Sequence, residues 1–480
     1  MMNRLFIISL ISVVVLSCKQ VTPPEACLPV PSKEQLAWHQ MEMNAFIHFT
    51  TNTFTNKEWG YGDESPEVFN PDTVNAGQWV NVLKDAGFKG VILTCKHHDG
   101  FCLWPSKYTN HTIAQSPYLD GNGDVVKQLK DACTSQGVKF GVYLSPWDRN
   151  RSDYGEPSYI EYYRNQLKEL FTTYGPAFEM WFDGANGGDG YYGGANEVRK
   201  IDKRNYYDWP TTLELVRSIQ KDVIFFSDAG PGVRWCGNES GYVNETCWST
   251  ITTDTLYAGK AGIEKLLATG SPDGNTWLPA EVDVSIRPGW FYHSSEDSLV
   301  KSGDQLFDIY LKSVGRGALL LLNVPPDRKG VIHENDVKAL EAFRNKLDRT
   351  FKDDLTKGAE IKASNTRGNS ADYQASNVLD KDRNTYWCTD DAVTKASVEI
   401  NLKQESALNY LVLQEYIKLG QRIKGFTVEL KQGGEWKKVA VATTIAYKRI
   451  IPLNGRVTDQ VRIIFEEAKA CPVISTLGIF

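Results

Sequence analysis

Two carboxylates and one pair of adjacent histidines are the residues best suited to chemistry in this 480-residue chain. Asp183 closes an apolar run and is followed at once by Gly184. A carboxylate at such a strand end is either a helix N-cap or a nucleophile. Glu239 sits in a loop rich in Gly and Asn, where an acid is either a solvated side chain or a proton donor. Together the two fit glycoside hydrolysis, in which one carboxylate attacks and a second serves as acid and base. A separation of about 5–5.5 Å would mean retention of configuration, and about 6.5–9.5 Å inversion. His97 and His98 are neighbours at a strand end, so both could ligate one ion only where the strand has ended. The first predicted strand, Asn44 to Phe49, lacks the His-x-His pair of barrel metallohydrolases. No metal is therefore expected in the catalytic site, and hydrogen bonding to hydroxyl groups is the role read for the two histidines. No Gly-x-Ser-x-Gly occurs, which argues against a serine nucleophile.

These groups need a scaffold, and the apolar pattern predicts one. Short strands at 44–49, 90–95, 139–145, 177–182, 223–227, 277–285 and 318–324 alternate with helical stretches at 79–86, 124–136, 159–173 and 211–220. Strands separated by helices mean βα units and a parallel sheet. Seven or eight units in about 320 residues predict a (β/α)₈-like barrel, class α/β. An open doubly wound sheet would carry a Gly-rich phosphate turn after its first strand, and none is present. Catalytic groups of a barrel sit at the C-terminal ends of its strands. Those ends carry His48, then Lys96-His97-His98-Asp99-Gly100, Tyr143, Trp147-Asp148, Trp181-Phe182-Asp183-Gly184, Arg234 to Glu239, and Arg287-Pro288-Gly289-Trp290. Polar and aromatic groups at one rim suit a sugar pocket. Eleven of the thirteen Trp residues precede residue 300; indole rings stack on sugar faces, but they also fill cores.

Beyond about residue 350 the pattern changes to half-buried strands at 396–402, 410–415, 425–431, 438–443 and 461–466. Gly433-Gly434 and Asn454-Gly455 are read as turns between them. This predicts an all-β sandwich. All seven His precede residue 334, which places the chemistry in the first domain. The expected division is a signal peptide with a lipidated Cys over 1–18, a tether over 19–29, the barrel over 30–350, a linker over 351–357 and the sandwich over 358–480.

At the N-terminus, Arg4 precedes an apolar run from Leu5 to Leu16 that ends in Leu16-Ser17-Cys18. The run has the length of a signal h-region and is too short for a membrane span. Leu-Ser-Cys resembles the cleavage box of bacterial lipoproteins, so Cys18 is expected to carry lipid and to hold the protein at the outer membrane of the cell envelope. Eight further Cys residues would lie in an oxidising compartment. Cys236 and Cys247 could bridge or remain free thiols. A net charge of −6 argues against nucleic acid as a partner.

The chain resembles glycoside hydrolase family 29, the α-L-fucosidases, over about residues 30 to 350. The matching motifs are His48-Phe49 with Thr53-Phe54 and Glu58-Trp59-Gly60, then Lys96-His97-His98-Asp99-Gly100-Phe101, then Trp181-Phe182-Asp183-Gly184. The resemblance implies a retaining double displacement on a fucosylated oligosaccharide, with Asp183 as nucleophile and no cofactor. It implies that His48, Glu58, Trp59, His97, His98, Tyr143 and Trp181 line the fucose pocket, with Arg234 and Trp290 as weaker matches. The stretch Arg234 to Gly241 resembles the branch that cleaves α-1,3/1,4-linked fucose. There the Glu after Gly-Asn is the acid/base, which implies that role for Glu239; Cys236 stands where the pattern is aliphatic. Glu245 is a rival placed on an expected strand. The alternatives are a broad-specificity fucosidase and a non-catalytic carbohydrate-binding lipoprotein. Asn377-Val378-Leu379-Asp380 and Thr385-Tyr386-Trp387 resemble a discoidin-type (F5/8 type C) domain. That resemblance implies a packing or sugar-binding role, and in some such domains a structural calcium near the Asp380 turn.

Overall fold

A computed structural model describes residues 21–480. The Arg4–Cys18 segment, with its expected signal and lipid site, lies outside the described residues. Among these, no helix is long and apolar enough to cross a membrane.

Eight parallel strands close the predicted barrel: β1 (Met43–Ile47), β2 (Gly90–Lys96), β3 (Lys139–Leu144), β4 (Glu179–Trp181), β5 (Ile224–Ser227), β6 (Val233–Trp235), β7 (Ala280–Ser285) and β8 (Leu319–Asn323). Each strand pairs with its sequence neighbours, and β8 closes on β1. Local chemistry starts and stops the helices between them. The Asp124 carboxylate accepts from Lys127 N to cap Val125–Gln136, which ends at Gly137 with φ +70°. A side chain at 137 would be strained there. A capping box of Ser32 and Gln35 opens α1 (Lys33–His39), which crosses the N-terminal ends of the strands. Two apolar layers result. Helices cover the outer face, and Phe46, Ile92, Tyr143, Trp181, Ile224, Phe226, Val233, Leu319 and Leu321 fill the interior above Trp38.

One strand departs from the expected pattern. β6 follows β5 after five residues with no helix between them, so Arg234 lies on a strand and not on a loop. Its three-residue length, interrupted by arginine, carries no strand signal. The expected strand 277–285 is also divided. Thr276–Trp277 pairs with Thr250–Ile251 in a separate ribbon, and β7 begins only at Ala280.

The second domain is an antiparallel sheet arrangement of β9 (Glu360–Ala363), β10 (Trp387–Cys388), β11 (Ala396–Glu415), β12 (Ile423–Gln432), β13 (Glu435–Ala442), β14 (Arg449–Ala468) and β15 (Val473–Ile479). The expected strands 396–402 and 410–415 are one 20-residue strand, interrupted by register shifts. Asn454-Gly455 makes no turn. Both residues have positive φ inside β14, opposite the shift between Leu408 and Tyr410, so the pair forms an irregularity that bends a continuous strand. Gly433-Gly434 does make the expected turn, joining β12 to β13.

The two domains are tied by polar contacts. Lys448 pairs with Glu42 at 2.6 Å, Ser249 N donates to Gln421 Oε1, and Cys247 N donates to the Thr444 hydroxyl. Residues 21–28, expected as part of a tether, lie along the second domain. Arg367 and Arg422 donate to the Thr22 and Glu25 carbonyls, and Cys27 N to that of Leu419. The eight described cysteines are all free, Cys236 and Cys247 included. In the expected calcium turn, Asp380 accepts from Asp382 N and the Thr385 hydroxyl, and Asp382 accepts from Asn384. Among the described residues no three His, Cys, Asp or Glu side chains converge as a metal site.

Candidate active site

A cavity of about 270 Å³ opens at the C-terminal end of the barrel strands. Its floor is aromatic, with Phe46, Trp181 and Phe226; its wall holds His48, His97, His98, Asp183 and Glu239; its mouth holds Trp59 and Trp290. Trp181 lies flat on Phe226, with ring centroids 4.0 Å apart and planes at 5°. A planar aromatic floor opposite a polar wall suits a sugar, with its apolar C–H face and its hydroxyl groups.

The tetrad after β2 divides its labour. Lys96 turns away from the cavity into a buried ion pair with Asp148 at 2.9 Å, amid the rings of Tyr159, Tyr162 and Tyr163. Asp99 accepts from the Thr50 and Thr51 hydroxyls and from Phe101 N. Between these anchors, His97 and His98 both line the cavity, because the strand ends at Lys96 and the alternation of faces stops there. His98 Nδ1 meets Ser145 Oγ at 2.7 Å, and His48 Nδ1 meets Asn323 Oδ1 at 2.8 Å. Burial lowers His48 and His98 to about 3, the cations Arg149 and Lys96 adding to the effect on His98. His97, stacked on Tyr143 and lying between the other two imidazoles, is also held well below its usual value by burial. Three neutral imidazoles at one wall can each accept from or donate to a hydroxyl.

Asp183 is not a helix cap, since no helix follows it. Its Oδ1 accepts from Ala185 N at 2.7 Å and its Oδ2 from the Tyr143 hydroxyl at 2.9 Å. His98 Nε2 stands 3.8 Å from Oδ2. Burial raises the pKa of Asp183, and these two donors oppose the rise. Gly184 is required beside it, because a Cβ there would meet the Asp228 carboxylate at 2.2 Å.

Glu239 faces the same cavity from the loop after β6, and Trp290 Nε1 is 3.3 Å from its Oε2. Burial raises its pKa, and the charges of Asp183 and Glu58 raise it further. Two carboxyls thus face one cavity, one held by two donors and the other by a single indole, and a pair of carboxyls is what glycoside hydrolysis requires.

Three expected residues stand elsewhere or act differently. Arg234 is no pocket residue. It is fully buried, and its guanidinium donates to the carbonyls of Leu267, Leu278 and Trp248. Glu58 stands beside the cavity, where its charge acts on Glu239. Its carboxylate accepts from Trp290 N at 2.7 Å and meets His293 Nε2 at 2.5 Å, so it holds the loop that carries Trp290. Glu245 lies on a loop, not a strand, and pairs with Arg316 and with Arg449 of the second domain. Tyr143 reaches the site through its hydroxyl on Asp183.

Two further carboxyls were missed. Asp228 follows β5 directly and accepts from Gly259 N at 2.7 Å. Burial and the Asp183 charge raise it to about 6. Asp283 accepts from Trp235 Nε1 at 2.8 Å and is held well above its usual range by burial and the Glu239 charge. Both line the cavity. Strand-end position could have found Asp228. The alternation Glu281, Asp283, Ser285 within an apolar strand could have found Asp283.

A model of the α-L-fucosidase family matches residues 23–349. The chain belongs to the α-L-fucosidase family. A second model, the F5/8 type C domain, matches residues 360–473. Alpha-L-fucosidase 1 of Arabidopsis thaliana is 41% identical over 464 residues, 95% of this chain and 89% of that protein. A structure of a putative alpha-L-fucosidase from Bacteroides thetaiotaomicron superposes with a TM-score of 0.88 at 39% identity, covering 95% of this chain and 99% of that one. A Ruminococcus gnavus GH29 fucosidase in complex with fucose gives 0.86 at 33% identity over 96% of both chains. The fucosidase is thus a glycoside hydrolase acting on fucosylated glycans, and its cavity sits at the barrel rim where such enzymes work.

Proposed function

We propose that this fucosidase acts with retention through a covalent fucosyl-enzyme, with Asp183 as nucleophile and Glu239 as acid/base. The observation that carries the reading is the unequal environment of two carboxyls facing one cavity. Asp183 is held by Tyr143 and Ala185, while Glu239, exposed at the rim of the cavity, has a single indole donor and faces the Asp183 and Glu58 charges. Glu239 would protonate the leaving oxygen; esterification of Asp183 would then remove its charge, letting Glu239 take a proton from water. We further propose α-1,3/1,4-linked fucose on branched acceptors as the substrate, on the likeness of Arg234 to Gly241 to that branch. Lipid attachment at Cys18 and an outer-membrane location complete the proposal.

A panel of a Lewis-type trisaccharide, a 2-linked fucosyl lactose and an aryl fucoside tests the linkage. Release mainly from the first supports it, and efficient release from the other two moves the enzyme to broad specificity. The configuration of the first-formed fucose, read by NMR, tests retention. Membrane fractionation of wild type against Cys18→Ala tests the anchor.

A further inference from the structure

Below the cavity the largely apolar barrel interior holds two acids and, on β1, the fully buried Asn44, whose amide has no partner among the described residues. Glu179 on β4 and Glu281 on β7 are fully buried. Trp38 Nε1 donates to Glu179 Oε2 at 3.1 Å, and Trp181 Nε1 donates to Glu281 Oε1 at 3.0 Å. The remaining oxygens, Glu179 Oε1 and Glu281 Oε2, have no protein donor among the described residues. The two carboxyls act on each other, and Glu281 also acts on Asp283, two residues further along β7. No cation neutralises them. Two ionised carboxylates side by side in such an interior would be held against both desolvation and mutual repulsion. One proton between them removes the repulsion and gives each free oxygen its partner, as an O–H donor on one side and an acceptor on the other.

We infer that Glu179 and Glu281 are positioning residues: they share a proton and, through the Trp181 indole, fix the floor of the sugar cavity to Trp38 at the opposite end of the barrel. The inference rests on that cavity being the active site. Trp38 belongs to α1 beneath the barrel, and Trp181 stacks on Phe226 under the cavity. The chain Trp38–Glu179–Glu281–Trp181 therefore runs through the barrel interior as a hydrogen-bonded rod. Burial raises the pKa of both carboxyls, and repulsion from Glu179 raises Glu281 further, so the proton is retained at neutral pH.

Infrared difference spectroscopy and steady-state kinetics on the full chain test this. At neutral pH, wild type minus Glu179→Gln/Glu281→Gln should contain the carbonyl stretch of a protonated carboxyl. If that double variant does not fold, Glu281→Gln alone serves. The native pair keeps a proton that the unfolded chain releases above about 4.5, so wild-type stability falls as pH rises from there. In Glu281→Gln that slope should flatten. With an aryl fucoside, Glu281→Leu should lower kcat/KM about tenfold or more through displacement of Trp181. Glu281→Gln, which can still accept from the indole and donate to Glu179, should recover most of the loss. A difference spectrum without the band, an unchanged pH slope, or glutamine as harmful as leucine would overturn the inference. A wild-type protein inactive on every fucoside would instead overturn the reading of the site, while the infrared result on the pair would stand.

Discussion

His97 and His98 owe their place to the residues on either side of them. Lys96 and Asp99 contribute no atom to the cavity, yet both anchor the turn between them, Lys96 by its ion pair and Asp99 by its hydrogen bonds. Breaking the buried Lys96–Asp148 pair by Lys96→Ala leaves Asp148 without its cation and should cost about 3–5 kcal/mol of stability in denaturant unfolding. Asp99 has a pH signature. Burial raises it to about 7, so the native state keeps a proton that the unfolded chain loses above about 4. Its contribution is present at low pH and declines as pH rises through about 7. The unfolding midpoint of Asp99→Asn should therefore gain on wild type across that window. Among the proposed catalytic residues, Glu239→Gln should reduce kcat/KM about 10²–10⁴-fold on a natural glycan, whose leaving alcohol needs a proton. It should do much less harm on an aryl fucoside with an acidic leaving group. Equal losses on both substrates would remove the acid role from Glu239.

At the scale of the elements, the strand ends that bear the site were legible because βα units repeat a simple pattern of short apolar strand and amphipathic helix. His48, His97, His98, Trp181, Asp183, Glu239 and Trp290 reach one cavity, as reading the C-terminal strand ends predicts, and Trp59, which only the family resemblance singled out, joins them. The reading failed where an element breaks that pattern. β6 has three residues and no helix before it, so Arg234 looked like a loop residue aimed at substrate when it is a buried clamp on three carbonyls. The hold of Glu58 on the Trp290 loop could not be read, because the partners of its carboxylate, Trp290 N and His293, lie more than 230 residues away in sequence. The acids inside β7 were passed over because a strand inside a closed barrel is expected to be apolar. β11 and β14 show the converse, since sequence punctuation that usually ends a strand here only bends one. Glu58→Gln should leave the fold intact but loosen the Trp290 loop. The expected result is a rise in KM several-fold larger than any fall in kcat, checked with an aryl fucoside.

For the molecule as a whole, the second domain is built into the first. Glu42, Glu245 and Ser249 of the barrel meet Lys448, Arg449 and Gln421 of the sheet domain, and Phe351 at the end of the last barrel helix packs on Tyr410 and Phe480. Removing residues 352–480 would uncover Phe351 and leave Glu42 and Glu245 without these cations. The truncated protein should unfold at lower temperature and aggregate, and calorimetry of the intact protein should show one main transition. The central claim, that Asp183 attacks the fucosyl carbon in the cavity it shares with Glu239, is tested most directly by trapping. Incubation with a 2-deoxy-2-fluoro-fucosyl fluoride slows breakdown of any covalent intermediate, and intact mass followed by peptide mapping locates the adduct. One fluorofucosyl group on the peptide containing Asp183, lost in Asp183→Asn, is the predicted result. An adduct on another residue, or hydrolysis that inverts configuration with no adduct at all, would contradict it.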